Sequence, residues 1–274
     1  MRHAGILIVY SDHDGAEELS RHLAKRLQKD GHFVEQQAYD DAGVQVALRA
    51  VPHLVVTVGG DGTLLRTARY CPPETRLLGV NMGHLGYLAA CHARTVEDAC
   101  ACIQRALQNE VQPQTRMRLR ATWVSDGVCT ERVVLNDVAL DSARSCMITF
   151  EVRANGKFVT EYRSNGLVIA TPTGSTAYNL AAGGPILMPG VQAIVLTAVC
   201  PHNLSNRPVV VDPGTVIDVR PTERSRTERA VLSFDGERME CVGDWSLRVE
   251  VGPSVQIYHD VDPFEVLRTR LHWS

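Results

Sequence analysis

Apolar runs alternate with amphipathic stretches along the first part of the chain. Residues 5–10 form a continuous apolar run, which is the pattern of a buried strand. Residues 14–29 carry Leu19, Leu23 and Leu27 with charged residues between them, and this spacing predicts an amphipathic helix. The same succession continues with a strand at 33–35, a helix at 44–50 and a strand at 53–58. This order favours βαβ units and a parallel, Rossmann-like sheet.

Helical spacing gives way to short β-prone runs near Pro113, after a strand at 76–80 and a helix at 95–107. The runs lie at 116–124, 128–134, 147–153, 158–162, 192–199, 208–211, 216–220, 230–234 and 247–251. Asp126-Gly127 and Asn155-Gly156 stand between pairs of these runs as two-residue hairpin turns. This pattern predicts an antiparallel, all-β second part.

These patterns divide the chain into an α/β amino-terminal domain at residues 1–112 and a β-rich carboxyl-terminal domain at residues 113–274. In the tail, Phe264, Leu267 and Leu271 repeat at helical spacing. We expect a helix over 263–274 that packs on another element, with the first domain as the candidate.

Composition indicates a globular protein and limits the kinds of partner that it is expected to bind. The 274 residues are 45% hydrophobic and carry a net charge of −3, which gives no electrostatic reason to expect nucleic acid or an acidic membrane surface. The apolar run from Ile6 to Tyr10 is too short for the core of a signal peptide, so we expect a cytoplasmic protein. In that compartment the eight cysteines are expected to be reduced and mostly structural.

A glycine-rich turn at residues 59–63 is the first candidate site. Its sequence, Gly-Gly-Asp-Gly-Thr, joins the strand at 53–58 to a helix predicted to start at Leu64. Backbone N–H groups at such a helix start are free to bind phosphate, and the helix dipole is positive there. Asp61 stands among these anion-binding groups. Beside a nucleotide, it could take a proton from a hydroxyl or help to hold Mg²⁺.

Two further candidate sites lie in the second part. A strand at 167–170 leads into a loop rich in small hydroxyl residues at 171–178, which would let a flat polar ligand approach the backbone. A capped helix start explains the same residues without any ligand. Asn136-Asp137 follows an apolar run and is equally typical of a simple turn, as is Asp235-Gly236. Neither a Walker A lysine motif nor a dinucleotide fingerprint after the first strand is present in the sequence.

Taken together, the motifs resemble those of the bacterial NAD kinases, most closely the Gram-negative branch. Gly59 to Thr63 is similar to a signature that NAD kinases share with the diacylglycerol and sphingosine lipid kinases and, more distantly, with the phosphofructokinases. Residues 171–178, followed by Gly183-Gly184-Pro185, resemble a longer motif of the NAD kinases alone. Residues 81–88, 135–137 and 201–208 follow in the order of that family, so the resemblance covers nearly the whole chain.

The resemblance implies the NAD kinase fold, an active site between the two domains, and transfer of the γ-phosphoryl group of ATP to the adenosine 2′-hydroxyl of NAD. It also implies a divalent metal, usually Mg²⁺, and a homodimer or homotetramer. By correspondence, Asp61 is the catalytic residue and a possible metal ligand. Residues that contact phosphate are Gly59, Gly60, Gly62 and Thr63. Residues that contact NAD are Asn136, Asp137, Arg163, Asn165, Thr173, Ser175, Thr176, Ala177 and Tyr178.

One position departs from the family. Asn165 stands where the family usually has an acid that contacts substrate, which predicts a retained fold with altered NAD contact. Arg163 stands where some branches of the family carry glycine, which indicates a preference for NAD over NADH. Two other functions stay open at this point, a lipid kinase of the same superfamily and a non-catalytic regulator that binds NAD. The sequence does not decide whether polyphosphate replaces ATP, nor which effectors act.

Overall fold

The structure is a computed structural model that describes residues 4–13, 15–81, 87–89, 91–93, 95–144, 146–223, 230–241 and 244–271. The chain divides into two compact units. Unit 1 contains Met1–Thr115 and Val255–Ser274, and unit 2 contains Arg116–Ser254.

Unit 1 is an α/β unit around one seven-stranded sheet. Its strands are β1 (Gly5–Tyr10), β2 (Phe33–Ala38), β3 (Leu54–Val58), β4 (Arg76–Asn81), β5 (Cys91–His92), β6 (Pro113–Arg116) and β19 (Val255–Tyr258). Its helices are α1 (Ala16–Lys29), α2 (Asp41–Leu48), α3 (Asp61–Ala68), α4 (Val96–Leu107) and α6 (Pro263–Leu271). The sheet order is β2-β1-β3-β4-β19-β6, and β5 pairs with β4.

The core of the sheet is parallel, as predicted. β1 pairs in parallel with β2 and with β3, and β3 pairs in parallel with β4. All five residues of β3 are buried, because a strand in the middle of a parallel sheet has both faces covered. Parallel strands point the same way, so the carboxyl ends of β1, β3 and β4 share one edge. That edge carries the glycine-rich turn after β3.

The end of the chain adds a strand to this sheet. β19 pairs in parallel with β4 at Gln256 and Ile257. The sequence-based division placed residues 255–274 in the second domain, whereas their contacts place them in unit 1. The reason is this pairing, together with the hydrogen bond from the Tyr258 hydroxyl to the Ala106 carbonyl of α4 at 3.2 Å. Some predictions from the sequence fall on Asp14, on residues 82–86 and on residues 272–274. These residues lie outside the described part of the chain.

Unit 2 contains two six-stranded sheets. Their strands are β7 (Leu119–Ser125), β8 (Val128–Val134), β9 (Asp137–Ser142), β10 (Ile148–Ala154), β11 (Lys157–Ser164), β12 (Gly166–Ala170), β13 (Ile194–Val199), β14 (Val209–Val211), β15 (Ile217–Pro221), β16 (Ala230–Phe234), β17 (Glu237–Cys241) and β18 (Trp245–Val251). The orders are β11-β10-β15-β18-β7-β8 and β14-β13-β12-β9-β16-β17. A short helix, α5 (Tyr178–Ala181), follows a 3₁₀ turn at Gly174–Thr176.

Unit 2 is all-β and antiparallel, as predicted. Apolar side chains from both sheets form one core, in which Trp123 of β7 stacks on Phe234 of β16 with ring centroids 4.6 Å apart. The predicted hairpin turns are present, since Asp126 and Asn155 have φ angles of 49° and 50° and each precedes a glycine with positive φ. Five strands, β5, β6, β9, β17 and β19, were not predicted from the sequence.

The cysteine prediction is wrong for one pair. Cys91 and Cys102 form a disulfide with their Cα atoms 6.2 Å apart, and the other six cysteines form no disulfide among the described residues. β5 and α4 lie side by side, and sequence spacing alone does not reveal that proximity. Within the described ranges, none of the helices is both long enough and apolar enough to cross a membrane.

Candidate active site

The glycine turn, residues 59–63, connects β3 to α3 in unit 1. Gly60 is the N-cap of α3, with φ −84° and ψ 179°, and no side chain caps the helix. The Thr63 amide donates to the Gly60 carbonyl at 3.0 Å. This closes the first turn at Asp61, three residues before the helix start predicted from the sequence. Asp61 therefore belongs to the first turn of the helix.

The outer side of the glycine turn is open. A side chain carbon built on Gly60 or on Gly62 would meet no atom within 4 Å. Among the described residues, no acceptor contacts the amide N–H of Asp61 or of Gly62. Such unsatisfied amides at a helix start, with the positive end of the helix dipole behind them, form a binding site for an anion.

Backbone donors from the segment after β4 fix the carboxylate of Asp61. One oxygen accepts from the Tyr87 amide at 2.6 Å, and the other accepts from the Ala89 amide at 3.3 Å. A carboxylate oxygen has more than one lone pair, so each retains capacity for a further donor or a cation. The two amides thereby orient the Asp61 side chain at the helix start without using all of its hydrogen-bonding capacity.

Ser11 lies against the inner side of the glycine turn. It follows β1, is 3% exposed, and its hydroxyl has no hydrogen-bond partner among the described residues. A side chain carbon on Gly59 would lie 2.7 Å from both Ser11 Oγ and Thr63 Oγ1. Gly59 also has φ +150°, which residues with a side chain rarely adopt. Both observations require glycine at position 59.

The asparagine turn, Leu135 to Asp137, is the second candidate region and lies in unit 2. Thr171 Oγ1 donates to the Leu135 carbonyl at 2.6 Å, and the Thr171 amide donates to the Asn136 carbonyl at 2.9 Å. A side chain carbon on Gly174 would lie 2.0 Å from the Asn136 carbonyl oxygen, so only glycine permits this approach. The structure thus brings two of the predicted motifs together. Asn136-Asp137 was also consistent with a simple turn. Because the strand β9 begins at Asp137, that alternative applies to Asn136 and not to Asp137.

Asp235 closes the asparagine turn from the other side. Its Oδ2 accepts from the Leu135 amide at 2.8 Å, and its Oδ1 accepts from the amides of Asn136 and Asp137 at 2.7 and 3.1 Å. The sequence interpretation assigned Asp235-Gly236 to an ordinary turn. The turn is present, with φ 49° at Asp235. No sequence signal identifies its partners, since they lie about a hundred residues away.

Asp137 is 5% exposed. Its pKa is raised to about 7, chiefly because burial disfavours the charged form and then because the Asp235 charge is close. The Asp141 charge raises the pKa further, while a hydrogen bond from the Tyr178 backbone opposes the shift. Near neutral pH this group is therefore present both as acid and as carboxylate.

The hydroxyl segment, residues 173–178, runs past the asparagine turn. Tyr178 is 36% exposed and its hydroxyl donates to Asp141 Oδ1 at 2.9 Å. Burial and, after it, this hydrogen bond raise the pKa of Tyr178 to about 12, so it stays protonated. Thr173 is buried, Thr176 is half-buried, and Ala177 links the 3₁₀ turn to α5.

The Ser175 hydroxyl is buried and has two backbone partners. The hydroxyl donates to the Pro172 carbonyl at 2.7 Å and accepts from the Leu187 amide at 2.9 Å. Asn179, which the sequence analysis did not select, donates to the carbonyls of Ser175 and Pro185 at 3.0 Å. These contacts hold the segment after α5 in place, so a role of Ser175 in binding NAD stays a prediction.

Arg163 lies on β11, and Asn165 lies in the link between β11 and β12. Arg163 is exposed on β11, opposite Thr149. Asn165 is half-buried between β11 and β12, its amide donates to the Val199 carbonyl, and its carbonyl accepts from the Ser142 amide, both at 2.9 Å. Its backbone is thus fixed next to the end of β9, one residue from the pair that Gly166 forms with Asp141.

Comparisons with known proteins cover both units. The family model described as the ATP-NAD kinase N-terminal domain matches residues 4–111, and the one described as the C-terminal domain matches residues 135–255. An NAD kinase of Bordetella pertussis is 38% identical over 272 residues, which cover 92% of this chain and 89% of that protein. An NAD kinase of Syntrophotalea carbinolica is 37% identical over 266 residues, with 92% and 87% covered.

Solved structures share the fold at lower identity. Yeast NADH kinase complexed with NADH superposes with a TM-score of 0.80 at 20% identity, covering 99% of this chain and 88% of that one. An NAD kinase from Archaeoglobus fulgidus in complex with ATP gives a TM-score of 0.72 at 24% identity, with 97% and 98% covered. The predicted fold class is confirmed.

Proposed function

The chain belongs to the ATP-NAD kinase family, and from that premise we propose that it transfers the γ-phosphoryl group of ATP to the adenosine 2′-hydroxyl of NAD, with Asp61 activating the hydroxyl. The observation that supports this most directly is the Asp61 carboxylate, which is oriented by two amides at a helix start whose own first amides are open. The lipid-kinase alternative is not favoured, because the match extends through residues 135–255. The regulator alternative is not favoured either, because the family is enzymatic and Asp61 is retained.

The glycine turn supplies the phosphate-binding part of the proposal. The amides of Asp61 and Gly62 have no acceptor among the described residues and would donate to phosphate oxygens. The turn has no lysine, so amide dipoles and a cation must balance the charge on the transferred group. Gly59, Gly60 and Thr63 complete the proposed phosphate-binding turn, in which the amides of Gly59 and Thr63 already donate to the carbonyls of Val80 and Gly60.

Asp61 is proposed to act on the 2′-hydroxyl as a general base or as the group that orients it. Its two amide contacts hold the carboxylate in one orientation, and the remaining lone pairs accept the hydroxyl proton. Positioning and electrostatic stabilisation dominate phosphoryl transfer, so a fixed carboxylate is the main requirement on the protein.

A divalent cation fits the same carboxylate. Mg²⁺ in phosphoryl-transfer sites is usually held by one or two carboxylates and by the substrate phosphates, and its charge neutralises the phosphoryl group. Asp61 is the residue that would hold it. In the part of the chain that the structure describes, no three His, Cys, Asp or Glu residues are grouped as metal ligands.

The asparagine turn and the hydroxyl segment are proposed to bind NAD. The backbone of Asn136 is engaged by Thr171 and Asp235, whereas its side chain has no hydrogen bond to any described residue. That side chain is left to contact the ligand. The Asp137 carboxyl, with a pKa near 7, accepts or donates a hydrogen bond to a ribose hydroxyl. Thr173, Thr176, Ala177 and Tyr178 would line the adenosine pocket.

Asn165 tests how the departure from the family pattern affects NAD. The amide side chain offers one acceptor and two donors but no charge. We expect Asn165→Asp to change the KM for NAD several-fold without changing the KM for ATP. Steady-state kinetics with NAD and NADH, each against both proteins, provides the measurement. KM values for NAD and for NADH that are both unchanged in Asn165→Asp would remove Asn165 from the proposed site.

The function itself is tested by incubating the purified protein with ATP, Mg²⁺ and NAD and assaying NADP with an NADP-specific dehydrogenase. We expect NADP from the wild type and little from Asp61→Asn. Parallel reactions with diacylglycerol and sphingosine should give no phosphorylated lipid. Absence of NADP, with or without lipid phosphorylation, would refute the proposal.

Three further properties belong to the proposal because the family resemblance supports them. These are dependence on Mg²⁺ or another divalent metal, assembly as a homodimer or homotetramer, and a cytoplasmic location. Light scattering on the purified protein measures the assembly, and chelation by EDTA before the NADP assay measures the dependence on metal.

A further inference from the structure

Asp235 is the most heavily bonded acidic side chain near the asparagine turn, and the family motifs did not point to it. Its two carboxylate oxygens accept from three consecutive amides, those of Leu135, Asn136 and Asp137, at distances of 2.8, 2.7 and 3.1 Å. In return, the Asp235 amide donates to the Asp137 carbonyl at 3.1 Å. Charge-assisted bonds of this kind are stronger than bonds between neutral groups, so they define the shape of the turn.

Nothing else among the described residues can satisfy these three amides in the same way. On the opposite side of the turn, Thr171 and Gly174 contact only the carbonyls of Leu135 and Asn136. Thr171 therefore bonds to the carbonyl acceptors of the turn, and Asp235 bonds to its amide donors. With the backbone fixed from both sides, the direction of the Asn136 and Asp137 side chains is determined.

We propose that Asp235 is a positioning residue for NAD, which holds the asparagine turn in the conformation that presents Asn136 and Asp137 to the nucleotide. This inference rests on the proposed role of those two residues in binding NAD. Asp235 itself contacts the backbone of the turn, so it acts through the two residues that the turn carries.

The chain contains its own matched control. Asp126-Gly127 forms a hairpin turn with the same residues and the same φ of 49° at the aspartate. Asp126 is exposed and contacts no described residue through its carboxylate. A third turn, Asn155-Gly156, has asparagine at the same position with φ 50°. Asparagine is as favourable as aspartate there, so Asp235→Asn preserves the hairpin and changes only the carboxylate.

In Asp235→Asn an NH₂ group replaces one acceptor oxygen and faces an amide donor of the turn. We expect the Kd for NAD, measured by isothermal titration calorimetry, to rise at least ten-fold, with the KM for ATP unchanged. Asp126→Asn should bind NAD like the wild type. Loss of the Asp235 charge should also lower the pH at which Asp137 titrates, so the pH dependence of NAD binding should shift to lower pH. A role limited to folding would leave the Kd of the folded variant for NAD unchanged.

The outcomes separate this inference from the proposed function. If the wild type forms NADP while Asp235→Asn binds NAD within two-fold of Asp126→Asn, the inference is wrong and the function stands. If the wild type forms no NADP but Asp235→Asn still loses NAD, the function is wrong and the positioning role stands. Should Asp235→Asn not fold, Asp235→Glu replaces it, because it keeps the charge and displaces the turn by one methylene. An unchanged Kd in that variant would equally overturn the inference.

Discussion

The glycine turn and the asparagine turn use glycine for opposite purposes. At Gly60 and Gly62 an added side chain carbon would meet nothing within 4 Å, and the neighbouring amides have no acceptor among the described residues. At Gly174 the same carbon would lie 2.0 Å from a backbone carbonyl, and the amides of the asparagine turn are all bonded to Asp235. In the proposed site, the glycine turn would bind a ligand through its backbone, whereas the backbone of the asparagine turn would fix the side chains that contact a ligand.

This difference implies that the glycine turn contributes to catalysis and the asparagine turn to NAD binding. Substitution of Asp61 and of Asn136 should therefore have different kinetic effects. We expect Asp61→Asn to lower kcat by about 10²- to 10⁴-fold, the usual contribution of a general base. Asn136→Ala should instead raise the KM for NAD about ten-fold, because it removes a hydrogen bond to the substrate. Steady-state kinetics with both substrates varied separates the two effects. If Asp61→Asn changed only a KM, the catalytic role of the glycine turn would be wrong.

The glycines themselves give the next largest contrast. Gly174→Ala forces a side chain against the Asn136 carbonyl, and we expect the free energy of unfolding to fall by about 3 kcal/mol, at the upper end for overpacking. Gly62→Ala adds a better helix former in open space, which should raise the free energy of unfolding by about 0.5–1 kcal/mol. The same methyl group should raise the KM for ATP, since it occupies the open side of the turn.

Urea denaturation of both variants measures the stabilities, and NADP formation measures the KM values. Gly62→Ala with an unchanged KM for ATP would show that phosphate does not approach this side of the helix start. Gly174→Ala with wild-type stability would contradict the close contact between the two motifs of unit 2.

The buried carboxyl of Asp137 predicts a pH dependence that belongs to the asparagine turn. Its folded pKa of about 7 lies above the usual value of 3.8, so the folded state binds the proton more tightly than the unfolded chain. The stability from this group is complete below about pH 4 and is lost as the pH rises to about 7. Between pH 5 and pH 8, the free energy of unfolding of the wild type should therefore fall by on the order of 2 kcal/mol because of this group, and Asp137→Asn should remove that fall. Urea denaturation at pH 5 and pH 8 provides the test, and identical pH dependence in both proteins would contradict it.

The sequence predicted those parts of the fold that local patterns encode. Continuous apolar runs identified β1 and β3, and the leucine spacing identified α1, because a buried parallel strand and an amphipathic helix each impose a period on the chain. Asp61 was found because its neighbours, three glycines between a strand and a helix, form a local motif. Such features depend on residues close together in sequence.

Long-range pairing was not predicted, because no local pattern encodes it. β19 contains only Val255–Tyr258, and its partner β4 lies far earlier in the chain. The role of Asp235 has the same origin, since an Asp-Gly hairpin has an identical local sequence whether or not its carboxylate has distant partners. The Cys91–Cys102 disulfide likewise depends on how β5 and α4 pack.

Two buried serines provide the most sensitive comparison between the two units. Ser11, beside the glycine turn, has a buried hydroxyl without a partner in the described part of the chain, whereas the buried hydroxyl of Ser164 in unit 2 donates to the Gly166 carbonyl at 2.8 Å. Burying a hydroxyl without a hydrogen bond is unfavourable, so Ser11→Ala should raise the free energy of unfolding by about 1 kcal/mol. Ser164→Ala should lower it by about 1 kcal/mol, because the Gly166 carbonyl loses its donor. Urea denaturation of both variants measures the difference. If Ser11→Ala lost as much stability as Ser164→Ala, the Ser11 hydroxyl would have to be hydrogen-bonded as the Ser164 hydroxyl is. The contrast between the two turns would then be limited to the amides of Asp61 and Gly62.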